Sequence, residues 1–157
     1  MKEIDLILLS EIFKDKSSSQ YFLHKETGKI YEVTNKIIDA IEDNYYDHLT
    51  TSEMESVKVL EEIYNGSEKY IQIPKLSEGD LINVIFEIIE KSDIEDELKE
   101  ILLSIASSGS IQKKINKLIR DYSGFYQIWD EFYSNYALKK AKSWALSMGL
   151  KVYEPEI

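Results

Sequence analysis

The chain of 157 residues contains no cysteine, two prolines, two histidines and a single arginine, Arg120. Without cysteine there can be no disulfide, no thiolate zinc site and no thiol nucleophile. The six glycines stand apart at 28, 66, 79, 109, 124 and 149, so no glycine-rich phosphate loop exists. Each glycine reads instead as a turn or a helix stop. Long apolar runs are missing too. The greasiest stretch, Leu81 to Ile89, is interrupted by Asn83 and Glu87 and is too short to cross a bilayer. The opening MKEIDLILLSEIF carries Glu3, Asp5 and Glu11 and lacks the basic start and small-residue cleavage site of an export signal. These absences predict a soluble cytoplasmic protein without membrane contact.

What is present argues for a packed globule. Hydrophobic residues make up 43% of the chain and aromatic residues 11%, well above a disordered acidic tail. The length is that of one domain, and no linker or repeat divides residues 1–157. The net charge of −10 is unevenly spread. Residues 1–100 hold 24 Asp and Glu against 11 Lys, whereas residues 101–157 hold eight Lys and Arg against five acids. An acidic surface repels nucleic acid, so any polyanion contact has to use the C-terminal part.

Periodicity outlines the elements. Residues 4–13 read as a short helix packed on the core. Tyr21-Phe22-Leu23 and Ile30-Tyr31-Glu32-Val33, joined by a loop holding Gly28, read as a β-hairpin. Residues 35–50 admit a helical turn at their start but carry acid clusters and adjacent tyrosines, and stay ambiguous. Met54, Val57, Leu60, Ile63 and Tyr64 fall on one helical face, with Ser52 and Glu55 in the form of a capping box. Residues 69–73, stopped by Pro74, read as a third strand. Leu81 to Ile89 reads as a mostly buried helix opened by Ser77 and Asp80. Ser92 and Glu95 repeat the capping-box form before a helix through Leu98, Leu102 and Ile105, with Asp93, Glu95, Asp96 and Glu97 in its first turn. Two further amphipathic helices fill residues 109–149, broken at Ser123-Gly124. The fold class is α+β: a small antiparallel sheet of about three strands in the N-terminal half, packed with a mainly helical C-terminal half.

Catalytic patterns are thin. His24 and His48 have no HxxxH or HExxH spacing, and the acid-dense residues 42–47 lack the spacing of an EF-hand loop. That segment reads as a solvated loop, and neither a metal nor a cofactor is implied. No GxSxG or SxxK motif occurs. The 29 acids offer too many possible pairs for any one to be singled out for acid–base work. The strongest lead is the basic helix. Lys113, Lys117 and Arg120 share one face at i, i+4, i+7, with Lys114 beside them and Ile111, Ile115, Leu118 and Ile119 opposite. That face suits a protein partner or a phosphate backbone, against the plainer reading of a solvated surface. Tyr126, Trp129, Tyr133, Tyr136 and Trp144 follow at helical spacing, either a stacking platform for a partner or, more simply, core.

Order and spacing of these motifs resemble the bacterial uncharacterised protein family 0158. The resemblance runs from Tyr21-Phe22-Leu23-His24-Lys25-Glu26-Thr27-Gly28 through Tyr70-Ile71-Gln72-Ile73-Pro74 to Gly109, Trp129-x-x-Phe132-Tyr133, Ala141-x-x-Trp144 and Gly149. The chain departs from the family pattern at His24, where an acid is usual, and at residues 111–117, which are poorer in Arg and Phe. The resemblance implies a compact bacterial α+β protein and no site residues. The functional expectation is a non-enzymatic interaction or regulatory module binding a protein partner through its C-terminal helices. Its candidate contacts are Lys113, Lys114, Lys117, Arg120, Tyr126, Trp129 and Tyr133. The alternatives are nucleic-acid association through residues 111–120, or an acidic decoy that occupies a nucleic-acid-binding partner.

Overall fold

A computed structural model describes residues 3–155, which contain seven helices and five strands. Two compact units divide the chain. The first takes residues up to 75 and again from 142; the second is residues 76–141.

The first unit begins with β1 (Ile4–Asp5), which pairs in parallel with β5 (Val152–Tyr153). Helix α1 (Leu6–Lys14) follows at once, because the Asp5 carboxylate accepts from the backbone N–H groups of Ile7 and Leu8 at 2.9 and 3.1 Å. That is an N-cap, which satisfies two of the four orphan donors of a helix start. The expected helix over 4–13 therefore starts two residues later, after a strand too short to show a period.

The hairpin forms as the alternation predicts. β2 (Gln20–His24) and β3 (Ile30–Val33) pair antiparallel, and β4 (Tyr70–Ile73) pairs on the other side of β2, giving the order β3-β2-β4. Alternate residues point to opposite faces. Phe22 and Val33 meet Ile37 of α2 (Asn35–Asp43) and Val57, Val59 and Leu60 of α3 (Thr51–Tyr64) in one apolar cluster. Leu23 and Ile73 are buried on the opposite face, whose border carries Leu8 and Ile12 of α1 beside Tyr21 and Ile30. Each such buried aliphatic side chain stabilises by roughly 1.5–3 kcal/mol. The sheet is covered on both sides. Residues 35–50, ambiguous as sequence, open as α2, which ends at Asn44, whose φ of 52° is the left-handed cap that asparagine tolerates.

One cap differs from expectation. Helix α3 starts at Thr50, not Ser52: the Thr50 side chain accepts from the Glu53 N–H at 3.1 Å, and Glu53 accepts from the Thr50 N–H at 3.0 Å.

The second unit is helical. α4 (Glu78–Lys91) opens at the capping box Ser77–Asp80, and α5 (Asp96–Ser108), α6 (Ile111–Asp121) and the first part of α7 (Phe125–Ser147) follow. Val84, Ile85, Ile88, Leu98, Leu102, Ile115 and Phe125 form its core, with exposures at or near zero. Burial on this scale overrides the β-branched character of α4, which by propensity alone disfavours a helix by only tenths of a kcal/mol per residue. The expected box at Ser92–Glu95 is not used. Ser92 closes α4, donating its N–H to the Ile88 carbonyl, and Glu95 caps α5 without a side-chain bond. Of the four acids expected in the first turn, Asp96 and Glu97 lie there.

Helix α7 buries Phe125, Trp129, Tyr133, Ala137, Ala141 and Ala145, one residue in every four. A four-residue step overshoots the 3.6-residue turn by about 40°, so the buried line winds round the helix instead of holding one face. Its last residues belong to the first unit, where Trp144 meets Phe13 edge-on with centroids 5.8 Å apart. Met148 lies beyond the helix and is 49% exposed.

Candidate functional site

Helix α6 sorts its residues by face. Ile111, Ile115 and Leu118 enter the core, and Lys113, Lys117 and Arg120 lie on the solvent side. Ser110 precedes the helix in a left-handed conformation and makes no capping bond. The cap comes from α4 instead: the Glu78 carboxylate accepts from the Ile111 N–H at 3.1 Å. This holds the start of α6 against the start of α4 and fixes which way the basic face turns. No ion pair among the described residues involves Lys113, Lys117 or Arg120. Lys114 is different. It is half-buried, and its ammonium donates to the Ser108 hydroxyl at 2.6 Å and the Ser108 carbonyl at 3.3 Å, serving the C-terminus of α5.

The aromatic candidates divide as well. Tyr126 is 55% exposed and stands beyond the end of α6. Trp129 and Tyr133 are 3% and 7% exposed and lie in the core, stacked with centroids 5.4 Å apart. As folded, these two have almost no surface to offer a partner; the spacing that suggested a platform is the spacing of core residues. The solvent-facing set is therefore Lys113, Lys117, Arg120 and Tyr126.

A second polar cluster, centred on Asp80, joins α4 to α7 within the same unit. One Asp80 oxygen accepts from the Ser77 N–H at 2.7 Å and the Ser77 hydroxyl at 3.0 Å. The other accepts from the Tyr136 hydroxyl at 2.7 Å and the Lys140 ammonium at 2.8 Å. The Asn83 amide donates in turn to the Tyr136 oxygen at 3.1 Å. Burial alone would raise the Asp80 carboxyl, but the donors from Lys140, Ser77 and Tyr136 outweigh it and bring it down from 3.8 to about 2. Burial pushes the Tyr136 hydroxyl up, the Asn83 amide opposes that, and the Asp80 carboxylate adds to it. A carboxylate so fully engaged, beside a phenol that resists ionisation, is a poor proton acceptor and a good structural tie. Ser77-x-x-Asp80 was visible in the sequence as a helix start. Its link to Tyr136, 56 positions away, had no local signal.

The histidines make local contacts. His24 accepts at Nδ1 from the backbone N–H groups of Glu26 and Thr27 at 3.2 and 3.3 Å, pinning the hairpin loop. His48 stacks on Tyr45 with centroids 5.2 Å apart. Among the described residues no group of three His, Asp or Glu is placed to hold a metal ion. No described helix is long and apolar enough to cross a membrane.

Fold and site together define a helix-rich α+β protein whose distinguishing surface feature is a basic helical face on an acidic chain. The chain belongs to the Uncharacterised protein family (UPF0158), whose model matches residues 4–152. No curated protein and no solved structure shows a match to it.

Proposed function

We propose that this chain is a non-enzymatic interaction module that binds an acidic protein partner through its C-terminal helices. Lys113, Lys117 and Arg120 form the charged rim of that surface, with Tyr126 as its aromatic contact. The observation that supports this reading is the set of three exposed cations on one helical face, held by the Glu78 cap and without an acidic partner among the described residues. Rim charges of this kind act mainly on association rate and partner choice. A protein partner is favoured over nucleic acid because three cations on a chain of net charge −10 neutralise few phosphates.

The test is a pull-down from lysate with the wild type and with K113E/K117E/R120E. Loss of partners that the wild type retains supports the reading, and identical partner sets refute it. Binding of a labelled duplex at 50 mM salt, lost steeply by 200 mM and absent in the triple variant, would move the same face to nucleic acid.

A further inference from the structure

Strand β4 lies at the edge of its sheet, and the ladder shows which of its backbone groups are unused. Lys25 donates its N–H to the Lys69 carbonyl at 2.9 Å, while His24 donates to Lys29 on the β3 side at 2.9 Å. Hydrogen-bonding direction alternates along a strand. Residues 69, 71 and 73 therefore turn towards β2, and the N–H and C=O groups of Tyr70 and Gln72 turn outward. Along this edge runs a groove of ≈ 580 Å³, lined by Lys25, Tyr70, Ile71, Gln72, Met148 and Leu150 among others. Met148 and the half-buried Ile71 and Tyr70 give it apolar surface.

Charge selects the occupant. Continuing the β2–β4 register by one residue places Lys25 directly opposite Lys69, both exposed and neither in an ion pair among the described residues. Like charges directly opposite each other destabilise a sheet. Unpaired cations at this position, on a chain of net charge −10, leave a place for an anion at the end of the groove. A second copy of the chain fits poorly: antiparallel pairing of β4 with itself about Ile71 would set the second copy's Ile73, not a carboxylate, opposite Lys69. Lysine and proline on an edge are devices against such self-pairing. We propose that the free edge of β4 is a docking site for an extended acidic peptide of a partner protein, which adds as a fourth strand and places carboxylates on Lys25 and Lys69. Pro74 limits the pairing to Tyr70–Ile73, about 13 Å of strand. Main-chain bonds supply the attachment and alternate side chains the selectivity. The site lies on the first unit and is independent of the basic helix.

The test uses the full chain and two labelled hexapeptides, one alternating valine with glutamate and one alternating valine with lysine, read by anisotropy and by amide hydrogen exchange. The glutamate peptide should bind about tenfold tighter than the lysine peptide, because it forms two ion pairs where the other meets two repulsions. It should slow exchange at Tyr70 and Gln72 and leave Ile71 and Ile73, already bonded to β2, unchanged. K25E/K69E should abolish that preference. Gln72→Pro removes an outward N–H without touching the β2 ladder, so it should lose binding while keeping its melting curve. K113E/K117E/R120E should bind the peptide as the wild type does. The proposal is overturned if the two peptides bind equally, if Tyr70 and Gln72 exchange is unmoved at saturation, or if K25E/K69E binds as the wild type does. It is also overturned if those amides are already protected, in free protein, in a concentration-dependent way that signals self-association.

Discussion

Replacing Asp80 by asparagine removes the charge but keeps the shape of the tie between α4 and α7. The ionised carboxylate, at 7% exposure, is held about two pH units below its ordinary 3.8. At 1.36 kcal/mol per unit that corresponds to about 2 kcal/mol of stability at neutral pH. The amide adds a second cost. Its NH₂ must face either the Ser77 pair or the Tyr136 hydroxyl and Lys140 ammonium, donor against donor on the Ser77 and Lys140 contacts, at roughly 1–2 kcal/mol. The expected loss is about 3–4 kcal/mol at pH 7. Urea unfolding followed by Trp129 emission measures it, in a Trp144→Phe background so that the buried Trp129 reports alone. The folded value lies below the unfolded one, so the charge contribution is complete above pH 3.8 and fades as pH falls towards 2. The gap between wild type and Asp80→Asn should therefore narrow over that window. A loss under about 0.5 kcal/mol at pH 7, or a gap unchanged down to pH 2.5, refutes the reasoning.

Other substitutions separate core from surface and one helix start from another. Trp129→Ala should cost about 3–5 kcal/mol and Tyr126→Ala less than about 0.5, measured by the same unfolding, here followed by circular dichroism. Thr50→Ala should cost about 1 kcal/mol, whereas Ser52→Ala and Ser92→Ala should stay within about 0.5, because neither hydroxyl caps a helix. Ser110, at φ 51° and with no capping bond to lose, should gain up to about 1 kcal/mol on replacement by glycine, seen as a raised urea midpoint.

The helical part and the three-stranded sheet were legible because their signals are periodic. The boundaries were not. Thr50-x-x-Glu53 and Ser52-x-x-Glu55 overlap and have equal merit as sequence; only the backbone decides between them. Ser92 had the right side chain, but its N–H already closes α4. The strand pair Ile4–Asp5 and Val152–Tyr153 is two residues long, below any period, and lies across nearly the whole chain. Within residues 109–149 the split between apolar and basic faces of α6 could be read from spacing alone. That Glu78 caps this helix and that Asp80 reaches Tyr136 are long-range contacts without a local pattern, and that Lys114 serves Ser108 depends on the turn between α5 and α6, which spacing does not define.

The first unit is discontinuous in the chain and the second is not, and this orders their completion during synthesis. Every residue of the second unit has been made once Ala141 is joined. The first unit, begun earlier, still lacks Ala145, Leu150 and the strand that zips Val152 to Ile4. At bacterial or eukaryotic elongation rates those residues follow on the order of a second later. Residues 4–75 are thus made before the second unit is begun, yet the first unit closes only after residues 145–153 are joined. Loss of residues 142–153 therefore injures the unit that also holds residues 4–75, the earlier-made of the two.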